Sequence, residues 1–117
     1  MEIVLEIEVP YPPSINHYYR RVGPKTLISR KGRKYRETLA HLLSATGVEQ
    51  VEGRIFLEIE MYPPDRRRRD VDNVLKALLD AMQHGGAYED DSQVDSLWII
   101  RRQPVEGGRL IVRFLKK

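Results

Sequence analysis

Cysteine is absent from the chain, which excludes disulfides, thiolate zinc ligands and a nucleophilic thiol, and fits a reducing compartment. Long apolar runs are absent as well, since none approaches the roughly 20 residues that cross a bilayer. From Glu2 onward the chain alternates in polarity, where a leader would carry a basic segment and an apolar core. A cytoplasmic protein with no membrane contact is the expectation. Histidine is sparse: His17, His41 and His84 are scattered, without an HExxH pair, and His17 alone falls where it could touch a ligand. No Ser-His-Asp order, glycine-rich phosphate loop or zinc-finger spacing is present.

What the chain does contain is one domain's worth of sequence. Its 117 residues predict a single domain, 1–117, without repeats, low-complexity tracts or linkers. A core of that size is shallow, so self-association is a reasonable way to cover more apolar surface. The formal net charge of +3 points to an anionic partner, but its distribution says more. Basic residues crowd positions 20–36 and the run Arg66-Arg67-Arg68-Arg69, while acids gather directly after that run and at Glu89-Asp90-Asp91.

Residues 2–9 alternate, with Ile3, Leu5, Ile7 and Val9 on one side and mostly glutamate on the other, the period of a half-buried strand. Residues 10–28, with four prolines and Gly23, show no period and read as a long loop of the kind that binds ligands. From Ser29, a candidate N-cap, Tyr35, Leu39, Leu42, Leu43 and Thr46 recur at helical spacing until Gly47. A second strand follows over 54–62 and is stopped by Pro63 and Pro64. A second helix starts near Asp70, carries Val71, Val74, Leu75, Leu78, Leu79 and Met82 as its apolar stripe, and closes at Gly85-Gly86. Residues 94–102 and 109–115 read as two strands of an antiparallel hairpin joined across Pro104–Gly108. The order βαβαββ predicts an α+β domain: a mixed four-stranded sheet with its helices on one face, because the glutamate-lined side of the first strand resists a second layer. Trp98 reads as core or interface.

The stretch from Pro64 to Lys76 runs from a strand end through a basic loop into a helix start, the kind of junction where chemistry collects. A structural account is available for it: Asp70 as N-cap and Asp72 as an i,i+4 partner of Lys76, each worth about 1 kcal/mol or less. The second acidic knot, Glu89-Asp90-Asp91, changes the balance, because the sheet can return it beside this helix start. Carboxylates meeting there repel unless a cation lies between them. Oxygen donors without nearby His or Cys point to Mg²⁺, with Mn²⁺ able to substitute. In phosphodiester hydrolysis such ions activate water and neutralise charge on the phosphate. Asp70, Asp72 and Asp91 are the candidate catalytic metal ligands and Asp90 a supporting ligand, although which of Glu89, Asp90 and Asp91 touches metal stays open. Lys76, one turn beyond Asp72, is placed to reach a scissile phosphate. Asn73 has either a water-orienting role or none. Arg66, Arg67, Arg68 and Arg69 suit backbone phosphates. Tyr18 and Tyr19, interleaved with Arg20, Arg21 and Lys25, either stack on unpaired bases or pack internally.

Three segments taken together, Pro12-Pro13-Ser14 with Asn16, Tyr19 and Arg20, then Pro64 through Asp70 with Asp72 and Asn73, then Asp90-Asp91-Ser92-Gln93-Val94, resemble the RusA family of Holliday junction resolvases over nearly the whole chain. The resemblance implies a homodimer that binds four-way DNA junctions and resolves them by paired symmetrical nicks in a Mg²⁺-dependent reaction of recombination and repair. On the matching positions it makes Asp70, Asp72 and Asp91 the catalytic acids and Lys76 the catalytic lysine. It sets Asn16, Tyr19, Arg20 and the arginine run on motif positions expected to bind DNA. Two other readings remain: a metal-dependent nuclease on other branched or single-stranded nucleic acid, and a DNA-binding protein whose acids are structural.

Overall fold

The computed structural model describes residues 1–117. Alternation makes β1 (Glu2–Pro10), whose Leu5, Ile7 and Val9 are buried while Glu6 and Glu8 are exposed. The same period makes β4 (Ile55–Tyr62), with Ile55, Leu57, Ile59 and Met61 buried, and β6 (Arg109–Lys116), with Leu110, Val112 and Phe114 buried. These strands, with β5 (Val94–Arg101), form a four-stranded mixed sheet in the order β1-β6-β4-β5, antiparallel except for the parallel pair β4 and β5.

Two helices supply the other wall of the core. Helix α2 (Arg30–Ala45) begins at Ser29, whose Oγ accepts from the Gly32 amide at 3.0 Å. It buries Tyr35, Leu39 and Leu43. Helix α3 (Leu75–His84) follows a 3-10 turn, Val71–Val74, and buries Ala77, Leu78, Ala81 and Met82. These side chains form one cluster with the sheet residues, so the helices lie on a single face as expected. The opposite face carries charge instead. Arg113 bridges Glu6 at 2.6 Å and Glu60 at 2.7 Å, and Arg102 reaches Glu60 at 2.9 Å.

Two features depart from the sequence expectation. The region 10–28 is not all loop: it holds a one-turn helix, α1 (Ile15–Tyr18), and a hairpin of β2 (Tyr19–Val22) and β3 (Lys25–Ile28). Gly23, at φ 60°, makes the two-residue turn possible. Alternation was invisible there because Arg20, Arg21, Lys25 and Thr26 leave neither face continuously apolar. The last two strands do not form the expected hairpin either. β6 pairs with β1 and β4, and β4 lies between it and β5. The connection from 102 to 108 is long enough to step over one strand, about 10 Å. β4, alternately buried along its whole length, takes the central place, whereas β5 is largely exposed and takes the edge.

The charged face gives a pH signature. Hydrogen bonds from Arg113, then Arg102, hold the Glu60 carboxyl below its ordinary value of 4.5. A depressed folded-state value means stability present above the unfolded value and lost as pH falls through the folded one. Unfolding free energy is therefore expected to drop on acidification below about pH 4.5, and Glu60→Gln to flatten that part of the curve in urea titrations. Parallel curves for the two proteins would show that the network contributes nothing there.

Candidate active site

Beyond Tyr62 the backbone turns at Pro63 and Pro64 and enters the arginine run. Asp65 organises that run. It accepts from the Arg67 amide at 2.8 Å and holds the Arg69 guanidinium in a two-pronged pair at 2.6 and 3.1 Å. The Arg69 contact, then the Arg67 amide, draws the Asp65 carboxyl down to about 2. Arg69 also lies over the Tyr11 ring at 5.9 Å, and its carbonyl accepts from Arg101 at 2.5 Å. Of the four candidate phosphate binders, then, Arg69 is engaged in shaping the loop, while Arg66, Arg67 and Arg68 are exposed. Arg67 and Arg68 line a cavity of about 450 Å³ together with Ser14, His17 and Asn73, joining the Pro12-Pro13-Ser14 segment to the basic loop.

Asp70 ends this loop at the N-cap position of the 3-10 turn, but its side chain makes no capping hydrogen bond. Asp72 and Lys76, both exposed, form no ion pair with each other. The contacts that a structural account of these acids requires are missing, so both carboxylates face solvent without a protein partner. The 3-10 turn packs against both α3 and β5.

The second acidic knot behaves differently residue by residue. Asp90 is a cap: its Oδ1 accepts from the Ser92 amide at 2.9 Å, and that backbone bond is the main reason its carboxyl is lowered. Gln93 completes the box, its Oε1 accepting from the Glu89 and Asp90 amides at 3.0 and 3.1 Å while its Nε2 donates to Val51 and Gly53 carbonyls. Asp91 enters no ion pair. Its backbone N–H donates to Gln83 Oε1 of α3 at 3.0 Å, fastening this short turn, Asp91–Gln93, to the helix that carries Lys76. The Asp91 charge also reaches Tyr19, whose phenol is raised first by burial, then by Asp80, and further by Asp91. Asp70 and Asp72 on one turn and Asp91 on the other both adjoin α3, and no three acidic or histidine side chains converge into a coordination cluster. By donor type each of the three carboxylates suits a hard divalent cation.

Lys76 lines a second cavity, of about 720 Å³, with Asn16, Tyr19, Arg20, Arg21 and Thr26. The expected DNA-binding residues of the N-terminal segment and the expected catalytic lysine therefore share one wall. What brings them together is a knot the sequence gave no sign of. Tyr18, wholly buried, donates to the Asp80 carboxylate, and Arg36 reaches the same Asp80 oxygen at 3.0 Å and the Tyr18 hydroxyl at 3.2 Å. Burial first, then the Asp80 contact, pushes the Tyr18 phenol up. Tyr18 is thus the packing residue of the tyrosine pair and Tyr19, edge-on to it at 4.9 Å between centroids, is the one that meets the cavity.

A model of the family described as endodeoxyribonuclease RusA matches residues 10–114. The chain is 42% identical over 106 residues to crossover junction endodeoxyribonuclease rusA of Enterobacteria phage HK97, covering 90% of this chain and 88% of that protein. The corresponding protein of Enterobacteria phage 82 is 38% identical over 105 residues, with 89% and 88% covered. That of Escherichia coli strain K12 is 37% identical over the same length and shares.

Gly32 offers a sharp check of how the hairpin is seated. A Cβ there would lie 2.4 Å from the Tyr18 carbonyl oxygen, a backbone atom. Alanine is intrinsically the better helix former by about 1 kcal/mol. Gly32→Ala is nevertheless expected to destabilise the protein by about 1–3 kcal/mol through the forced shift, measured by urea unfolding. An unchanged or raised stability would mean that α2 does not press on the Tyr18 backbone.

Proposed function

The chain belongs to the RusA endodeoxyribonuclease family, and we propose that it is a crossover junction endodeoxyribonuclease that resolves four-way DNA junctions by paired, symmetry-related nicks in recombination and repair. The observation that carries this reading is the pair of unpartnered carboxylates, Asp70 and Asp72, beside two cationic cavities. Both carboxylates stay free to meet a ligand from outside the fold. Asp70, Asp72 and Asp91 would hold Mg²⁺, or Mn²⁺ in its place, and the bound ion would lower the pKa of a water and offset charge on the phosphate. Asp90, already a cap, supports Asp91 through the backbone of the turn.

The remaining steps belong to the chain's own groups. Lys76 directs an ammonium toward the phosphate and counters charge that develops on its oxygens. Arg66, Arg67 and Arg68 hold backbone phosphates on one side of the helix start, and Arg20 and Arg21 hold them on the other. Tyr19 and Asn16 face the nucleotides beside Lys76. Recognition by phosphate position makes binding depend on branch shape and fall steeply with salt. The substrate has two equivalent strands to cut, and a two-fold homodimer brings one site to each.

A labelled synthetic four-way junction, compared with linear duplex in the presence and absence of Mg²⁺, tests this directly. Paired metal-dependent nicks in the junction alone are expected, with Asp70→Asn slowing cleavage on the order of 10²-fold or more while binding persists. Lys76→Ala is expected to behave likewise. Cutting of single strands or other branches with the junction left intact would shift the substrate. Junction binding without cleavage in any divalent metal would leave a DNA-binding protein whose acids are structural.

A further inference from the structure

We propose that a cationic track running from Arg67 and Arg68 past His17 to Lys31 and Lys34 holds the phosphate backbone of a second DNA arm, and that this hold sets the preference for a branched substrate over a straight duplex. The proposal rests on the junction-nuclease reading above and adds the residues that tell a branch from a duplex.

The track is made of two cavities that meet. The arginine-loop cavity shares Tyr11, Pro12 and His17 with a neighbour of about 380 Å³. That neighbour combines an apolar floor with a basic rim. Pro12, Pro13 and the buried Tyr35 make the floor, and Tyr35 is fixed there by donating to the Pro10 carbonyl at 2.7 Å. Lys31 and Lys34, one turn apart on α2, and His17 of α1 make the rim.

The charge on this rim is unanswered. No aspartate or glutamate lines either cavity. Elsewhere the chain sets acids against its cations, as Glu6 and Glu60 against Arg113 and Asp95 against Arg54. Lys31 and Lys34 are exposed, and neither enters an ion pair. Arg33, between them in sequence, is turned to the Ile28 carbonyl at 3.3 Å, so the cations that α2 offers this cavity are the two lysines. Free ammonium groups beside a rigid proline and tyrosine surface match a sugar–phosphate backbone, whose oxygens meet the cations while the sugar lies on the apolar floor. His17 continues the same line. Ser14 Oγ lies 2.9 Å from His17 Nδ1, and with that hydroxyl donating, the neutral ring keeps its hydrogen on Nε2 as a donor for a phosphate oxygen.

Separation from the Lys76 cavity is what assigns the track to a second arm. That cavity shares no residue with either of the other two. α1 contributes to both surfaces through different residues, Asn16 to the Lys76 cavity and His17 to the track. Two basic surfaces divided by a helical turn suit two backbones that diverge, as they do where a duplex branches. A straight duplex at the Lys76 cavity leaves the Lys31 and Lys34 end unfilled. Selectivity then comes from contacts that only the branched shape completes, without any base edge being read.

Lys31→Ala/Lys34→Ala tests this, because it removes both charges at exposed helical positions that alanine suits. Dissociation constants for a synthetic four-way junction and for a linear duplex of matched sequence are to be measured without divalent metal over about 50 to 200 mM salt. Junction affinity is expected to fall on the order of 10-fold and its log–log salt slope to shrink by about 2, for two lost phosphate contacts, with duplex affinity moved less than about twofold. Lys31→Arg/Lys34→Arg, which keeps the charge, is expected to restore junction affinity. Equal weakening on junction and duplex would make the track a general backbone contact and overturn the second-arm assignment. Loss of cleavage at saturating protein with junction affinity kept would put the lysines at the reacting phosphate and overturn it as well. A wild type that prefers the junction while the alanine variant keeps that full preference removes this inference alone. A wild type that binds the junction no more tightly than linear duplex removes the junction reading and this inference with it.

Discussion

The arrangement on the helix side of the molecule depends on one carboxylate, Asp80. It sits on α3 four residues after Lys76, amid positions that otherwise bury apolar groups, and is about three-quarters buried. Drawing a charge that far from water is unfavourable unless it is paired and hydrogen-bonded. Arg36 from α2 supplies the opposite charge and Tyr18 from α1 a hydroxyl, so three elements distant in sequence must meet at one point. Because β2 starts at the next residue, Tyr19, the same knot sets where the basic hairpin stands relative to Lys76. Ser29 closes the arrangement: its N–H donates to the Tyr18 carbonyl at 2.9 Å, and its Oγ starts α2. Gly32 then lets the first turn of α2 come up against that same carbonyl.

Against this background the acids divide by what they touch. Asp65 shapes the arginine loop, Asp80 ties the helices, Asp90 caps a turn, Asp95 holds Arg54, and Glu60 anchors the charged face. Asp70, Asp72 and Asp91 do none of these things. What sets these three apart is that they carry no cation and no cap within the fold yet sit on the turns that flank α3, next to the arginine loop. A polar group earns its place either by contact within the fold or by contact with something outside it. For Asp70, Asp72 and Asp91 the outside partners we propose are a metal ion and a phosphate.

Periodicity in the sequence was enough for β1, β4, α2 and α3, because each of these buries one face against the core and must carry a matching pattern. It was not enough for the β2–β3 hairpin, which buries little and is held by its turn and by the knot at its root. It gave the last two strands but not their neighbours, since a period of two reports burial and says nothing of which strand lies alongside. In the site, spacing alone placed Asp70, Asp72 and Lys76 on one helix start and Asp91 on a returning segment. Spacing could not tell Asp90 from Asp91, because the difference is which carboxylate the Ser92 amide finds. Nor could it separate Arg69 from Arg66, Arg67 and Arg68, a difference made by Asp65 four residues earlier. Arg36 and Asp80 left no trace, being 44 residues apart and meeting only in three dimensions.

The position of β6 also explains the exposed tryptophan. Had β5 and β6 paired directly, β5 would have been covered on one edge by β6 and on the other by β4, and Trp98 would have had neighbours on both sides. β6 instead slots between β1 and β4, where both of its edges are hydrogen-bonded and Leu110, Val112 and Phe114 are sealed into the core. That arrangement gives β6 the place whose alternate residues are fully buried and leaves β5 at the margin, held by the parallel partner β4 alone. The strand so displaced is the one that joins the Asp91 turn to the residue gripping the arginine loop. A strand hydrogen-bonded on one side only thus spans the distance between the Asp91 turn and the arginine loop, and its position is set by β4 and by those two anchors.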